Sequence, residues 1–333
     1  MSGLAIPTDA EILAARGPKA AVDPWRPYAM LVEDEPTASG RPEPVATLFL
    51  TNRECPFRCL MCDLWKNTTD APVPRGAIPA QIDYALERLA PAKQIKLYNS
   101  GNFFDPLAIP PDDYPEIARR VARFEKVIVE NHPKLCGKRV DEFRRLLPSS
   151  CRLEIAMGLE TIHPEILPRL NKQMTLDDFS AAAERLRANG VDLRVFLLLR
   201  PPWLGADAKL LDERDAIEWA LRGVEFAWNC GAGIVAVIPT RGGNGLMERL
   251  TAAGRFAPPS LAALEETLER ALVAPRGRVV VDLWDAQRLA GCERCRSQRI
   301  DRLQRLNLFQ RLEPTVRCDC QPPAAGNNQP PSR

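Results

Sequence analysis

The chain is short of several things. It has no apolar stretch approaching the roughly 20 residues that a membrane-spanning helix needs, and its start, MSGLAIPTDAEILAARG, has no basic segment followed by an apolar run. Neither a signal peptide nor a transmembrane helix is expected, so the cytoplasm is the expected compartment. Net charge is nearly absent: 45 Lys and Arg stand against 43 Asp and Glu, leaving +2. Bulk electrostatics therefore makes no case for a nucleic acid or a membrane surface as partner. No internal repeat at solenoid periods is visible, which excludes a stacked-repeat architecture. Histidine is scarce, at two residues in 333.

What is present is an apolar content of 45% with ordinary charge, the composition of a globular protein with a full core. Cysteine is also present, at ten residues. In a reducing compartment clustered cysteines hold metal more often than they form disulfides. Seven fall in two clusters: Cys55, Cys59 and Cys62, then Cys292, Cys295, Cys318 and Cys320. The isolated Cys136, Cys151 and Cys230 read as small buried hydrophobes.

Along the chain, residues 1–44 are rich in Pro and Ala and read as an N-terminal extension lying over the main domain. The tail from Gln321, QPPAAGNNQPPSR, has almost nothing to bury and reads as disordered. Between them, short apolar runs at 45–50, 94–98, 126–130, 152–160, 192–199 and 233–239 alternate with helical patterns. The best-marked helix starts at Thr175, where TLDD reads as a capping box, and stops at Asn189-Gly190. Six β-then-α units imply a parallel sheet with helices outside it, either a partial barrel or a doubly wound sheet. In both, ligands sit at the C-terminal ends of the strands. GRVVVDLWDA (277–286) reads as one further strand.

The stretch LFLTNRECPFRCLMCDLWKN (48–67) follows the first run directly and carries a C-x3-C-x2-C spacing. Three thiols are one short of a closed tetrahedral site. A zinc site completed by a distant ligand, three buried thiols, or an iron–sulfur cubane with one open iron would each account for them.

This spacing after the first strand of a β/α alternation resembles the radical S-adenosylmethionine (radical SAM) superfamily. The resemblance implies a partial (β/α)6 TIM-like barrel at 45–245, with a Cys-rich C-terminal region at 246–320 and the tail at 321–333. It implies a 4Fe–4S cluster on Cys55, Cys59 and Cys62, with SAM as co-ligand. It also implies reductive cleavage of SAM to a 5′-deoxyadenosyl radical that takes a hydrogen from a substrate. An electron donor such as flavodoxin or ferredoxin is implied as a partner. Met61 stands where the family commonly has an aromatic residue. YNSGNFFD (98–105) matches the family's glycine-containing motif for the SAM amino group, which points to Asn99, Ser100 and Gly101. GLETIHPEILPRLNKQMT (158–175) matches the stretch that reaches the ribose and carboxylate of SAM, which points to Glu160 and Lys172. The glycine-rich IPTRGGNG (238–245) could pass near adenine or simply be flexible. Within the superfamily the texture is closest to the Elp3-like and archaeosine-synthase-like group, which modify tRNA.

Other strand-end residues, Glu130, Asn131, His132 and Arg200, are candidates for substrate contact, although a lone His such as His132 reads more readily as hydrogen-bonded structure. Glu154 is expected to point into the barrel, with Arg194 as its partner. The second cluster, C-x2-C then C-x-C, offers four thiols, enough for zinc or for a second iron–sulfur cluster without other ligands. The helix between the pairs repeats Arg299, Arg302 and Arg305, a stripe that suits phosphate or RNA, or a solvated face. A non-enzymatic zinc scaffold is the alternative from another class.

Overall fold

In a computed structural model, which describes residues 7–204 and 210–320, the alternation becomes a single eight-stranded sheet. Its strands are β1 (Ala29–Glu35), β2 (Glu43–Phe49), β3 (Gln94–Tyr98), β4 (Lys126–Glu130), β5 (Arg152–Glu160), β6 (Asp192–Leu199), β7 (Ile234–Pro239) and β8 (Arg278–Val281), neighbours in chain order. β2 to β8 run parallel and β1 pairs antiparallel with β2. The central parallel strands are near-continuous apolar runs buried on both faces, as KVIVE and IVAVIP show. Helices lie between successive parallel strands. Leu176–Ala188 carries the expected capping box at Thr175 and Asp178, and ends with Gly190 at φ 65°. The chain from Gln321, read as a disordered tail, lies outside the described residues.

The sheet is curled. Arg194 of β6 bonds both carboxylate oxygens of Glu35 on β1 at 2.7 Å, although four strands lie between them in sheet order. Arg278 of β8 donates to the carbonyl of Pro36 at 2.9 Å. Side chains from such distant strands meet only across the concave face of a partial barrel. Arg194 also holds Glu154 at 2.7 Å, as expected from the sequence, and Lys126 holds the other Glu154 oxygen at 2.7 Å. Lys96 closes the network on Glu35 and Glu33. Burial alone would raise the Glu154 carboxyl, but Arg194 and Lys126 outweigh it and hold it down at about 2. The floor of the barrel is thus plugged by paired charge, and the opposite, C-terminal ends of the strands carry the loops.

The N-terminal segment covers that loop end and also enters the sheet. Ile12, from the helix Asp9–Ala15, is buried in a cluster with Leu60, Met247 and Phe256. β1 escaped the sequence reading because AMLVEDE lies at an edge and is mostly accessible, so it has no apolar run to show.

The C-terminal helix, Arg296–Phe309, overturns both readings for two of the three arginines in its stripe. Arg299 and Arg302 are 5% and 2% exposed. They pair with Glu265 and Glu269 of the helix Leu261–Val273, and Arg305 pairs with Glu313 at 2.9 Å. Arg299 and Arg302 are an internal staple, because acidic partners four residues apart on another helix face them, while Arg305 stays half exposed. The same helix covers the free edge of β8. Asn307 exchanges two hydrogen bonds with the backbone of Val281, and Gln310 two with Val279, all between 2.8 and 2.9 Å. Of the isolated cysteines, Cys136 and Cys151 are buried in the core, while Cys230 is half-buried at a helix end.

Candidate active site

The loop after β2 carries Cys55, Cys59 and Cys62, and the loops after β3, β4, β5 and β7 meet it at the C-terminal ends of the strands. All three are free, partly accessible thiols. Burial pushes them up, Cys55 and Cys59 to about 11 and Cys62 to about 12. They are thiols until a metal takes the proton's place. The loop is held by its neighbours rather than by itself. From the loop after β5, Leu170 accepts the Leu60 amide at 2.9 Å and Asn171 donates to the Arg58 carbonyl at 2.9 Å. After β3, Asn102 donates to Cys55 Sγ at 3.1 Å. After β7, buried Asn244 donates to the carbonyls of Leu60 at 2.6 Å and Cys62 at 3.3 Å, while accepting the Met247 amide at 2.8 Å. The turn around Gly242–Gly245 is therefore an anchor of the cysteine loop, a role its glycines did not disclose. Met61 packs between the main core and the smaller cluster under the N-terminal helix.

The loop after β3 is pulled into place from β4. The Glu130 carboxylate accepts the amide of Asn99 at 2.9 Å and faces the backbone of Ser100 and Gly101. Desolvation still dominates and raises Glu130 to about 7. Glu130 is thus a loop organiser, committed to backbone. Ser100 sits at φ 52°, and its hydroxyl shares a 2.8 Å hydrogen bond with Tyr28. Gly101 lies against Cys55: a Cβ there would stand 3.3 Å from the Cys55 Cβ. Beside it, Asn99 is fully buried, with both side-chain amide atoms lacking a hydrogen-bond partner among the described residues. An uncompensated buried amide is costly.

After the bulge in β5, Glu160 takes φ 65° and turns its carboxylate to Lys172, whose Nζ donates at 2.7 Å. Both are under 9% exposed. Gly158 makes the room, since a Cβ there would collide with Glu160 Oε1 and lie 2.7 Å from Lys172 Nζ. Burial disfavours the Lys172 cation, but Glu160 and the neighbouring Cys59 more than compensate and raise it above the ordinary lysine value. Lys172 is therefore a fixed positive charge beside the cysteine loop.

The other strand-end candidates are engaged elsewhere. His132 stacks on Phe57 of the cysteine loop at 3.8 Å, accepts the Lys134 amide at Nδ1, and points Nε2 at the Lys172 carbonyl at 3.0 Å. Burial, aided by Lys172, pushes it down to about 3, so it is neutral. Asn131 accepts the Phe104 amide, and Arg200, at φ 58°, ties the carbonyls of Leu211 and Pro258. The residues that sequence reasoning missed are Asn102, Asn244 and Phe57. All three lie inside stretches already singled out, at 98–105, 238–245 and 48–67, but nothing in the sequence marks their side chains.

At the other end of the chain the second group also assembles. Cys292, Cys295, Cys318 and Cys320 place their sulfurs within 4.8 Å of one another.

A family model described as Radical SAM superfamily matches residues 50–210. Among curated proteins, the chain is 27% identical over 273 residues to archaeosine synthase subunit beta of Methanosarcina acetivorans, covering 79% of this chain and 77% of that one. It is 26% identical to the protein of the same name from Thermococcus kodakarensis, covering 71% and 74%. Among solved structures, Streptococcus suis SuiB bound to S-adenosylmethionine aligns at 12% identity and a TM-score of 0.49, over 73% of this chain. The chain spans about half the length of that protein.

Proposed function

The chain is a member of the radical SAM superfamily, and from that premise we propose that Cys55, Cys59 and Cys62 carry its 4Fe–4S cluster and that the surrounding loops hold SAM. It is an enzyme of that class, and the cluster and SAM are its cofactors. Together they supply the reductive cleavage of SAM to a 5′-deoxyadenosyl radical that abstracts a hydrogen from the substrate. The residues fit such a pair. Three soft thiolates suit iron and leave one position open. The orphaned amide of Asn99 offers a donor and an acceptor beside Gly101, which itself touches Cys55.

In this reading Asn99, with the carbonyls of Ser100 and Gly101, receives the SAM amino group. The Asn99 amide is already held by Glu130, which orients the turn. Lys172 supplies the positive charge for the SAM carboxylate, and Glu160, its present partner, accepts from the ribose hydroxyls. Loading SAM therefore exchanges an internal ion pair for two contacts with the ligand. Exclusion of water falls to the walls, where Phe57 stacked on His132 and the N-terminal helix cover the cysteine loop.

The observation that carries the proposal is the unpartnered Asn99 amide against the cysteine loop. The test is 5′-deoxyadenosine formation by the anaerobically reconstituted protein with dithionite and SAM. Changing the three cysteines to Ala together should abolish it and remove the iron. Retained yield in that variant would overturn the assignment. We further assign the electron supply to a one-electron carrier such as flavodoxin or ferredoxin, and the compartment to the reducing cytoplasm that free thiols require. Among the described residues no helix is long and apolar enough to cross a membrane.

Similarity to two archaeosine synthase beta subunits favours one substrate class, a tRNA-borne nucleoside. The arginine stripe no longer supports it, so any RNA surface lies elsewhere. Absence of a salt-dependent gel shift with bulk tRNA at low salt would sink that reading.

A further inference from the structure

We propose that Cys292, Cys295, Cys318 and Cys320 bind a single zinc ion in a closed tetrahedral site, and that this ion locks the C-terminal helix across the open edge of the sheet.

The sequence alone leaves zinc and a second iron–sulfur cluster level, because four thiolates satisfy both. Distance separates them. The sulfurs of Cys292 and Cys318 are 4.0 Å apart, those of Cys295 and Cys320 are 3.6 Å apart, and all four lie within 4.8 Å of one another. A zinc–sulfur bond of about 2.3 Å places tetrahedral thiolates about 3.8 Å from one another. A cubane puts each thiolate on a different iron and so spreads the sulfurs to about 6 Å. The observed spacing is that of one ion. It is also far from the roughly 2 Å of a disulfide bond, and the four residues are free thiols. With all four positions filled by protein, no place is left for water or substrate, so the site is structural. A four-thiolate tetrahedron suits zinc among the common ions.

The fold shows what such an ion would hold. Cys292 and Cys295 precede the helix Arg296–Phe309, and Cys295 is its N-terminal flanking residue. At the other end Gln310 turns left-handed, at φ 53°, and the chain runs back along the helix. Arg302 fastens the return, donating to the carbonyls of Pro314 at 2.8 Å and Glu313 at 2.6 Å. Cys318 and Cys320 thereby arrive beside the helix start. An ion there closes the hairpin, beside the ion pair that Arg294 makes with Asp319. The same helix supplies Asn307 and Gln310 to the outer backbone groups of β8. The ion thus fixes the element that keeps this strand edge from pairing elsewhere.

The test uses the full chain, purified and reconstituted anaerobically with iron and sulfide, with zinc and iron counted together. Three proteins are compared: wild type, C55A/C59A/C62A, and C318S/C320S. The expected result is one zinc in wild type and in the triple variant, with about four irons in wild type and essentially none in the triple variant. Zinc is lost from C318S/C320S, and the amides of 279–281 and 296–310 exchange at least about tenfold faster there. Iron near eight per chain in wild type, or iron–sulfur absorption persisting in the triple variant, would overturn zinc in favour of a cluster. A wild type with neither metal beyond the first cluster would overturn the site altogether. Should C318S/C320S fail to fold, cobalt loaded into the triple variant gives the readout. Intense tetrahedral thiolate–cobalt bands support the site, and their absence refutes it.

Discussion

Asn244 sits 184 residues from Leu60 in the chain, yet it carries the cysteine loop. Replacing it with Ala removes the donor to the carbonyls of Leu60 and Cys62 and the acceptor for the Met247 amide. Leu60 is fully buried, so its carbonyl has no water to turn to. An unsatisfied buried group costs about 1–3 kcal/mol, and three bonds are affected, one of them long at 3.3 Å. The loss should total about 2–4 kcal/mol, concentrated in the cysteine loop and in the helix Leu246–Ala252. Asn244→Asp discriminates further. It keeps the acceptor for Met247 but turns an oxygen toward two carbonyl oxygens, so it should be no better than Ala despite its matching shape. Hydrogen exchange at residues 55–62, with iron retention after reconstitution, reads the effect. If Asn244→Ala leaves both unchanged, or Asn244→Asp behaves like wild type, the anchoring role is wrong.

Two other perturbations test the frame around the site. The Glu130 carboxyl is raised from 4.5 to about 7, so the folded state holds its proton more tightly than the unfolded chain does. Its contribution to stability is therefore complete below about pH 4.5 and is lost as pH rises through about 7, by at most about 3 kcal/mol. Urea denaturation from pH 5 to 8 should show this decline in wild type and a flatter profile in Glu130→Gln; parallel profiles would refute the assignment. Arg194→Met leaves Glu35 without its bidentate partner and Glu154 with Lys126 alone. Breaking a buried ion network in this way costs about 3–5 kcal/mol, and a loss below about 1 kcal/mol in urea denaturation would show that the barrel floor does not depend on it.

Much of the fold was legible because parallel strands buried on both faces print as apolar runs. β4, β5 and β6 coincide with the runs at 126–130, 152–160 and 192–199. β1 was not legible, since an accessible edge strand has no such run. The Glu154–Arg194 pair followed from alternation on neighbouring strands, whereas the reach of Arg194 to Glu35 depends on how far the sheet curls. Thr175 disclosed its helix start locally. Glu130 and Arg200 were visible as strand-end polar groups, but not that both are committed to holding loops. Those partners are backbone atoms far along the chain.

By itself the sequence determined the β/α alternation, the two cysteine groups and the order in which the loops meet. These depend on spacing and on short-range propensity, which a linear chain carries openly. Only the tertiary structure decided which amide is orphaned, which glycine makes room for an ion pair, and that Arg299 and Arg302 are an internal staple. It also decided that four distant thiols close on a volume fit for one ion. Each of these depends on distances and angles between side chains in three dimensions, some of them on neighbouring turns and some on segments far along the chain, and spacing alone does not carry them.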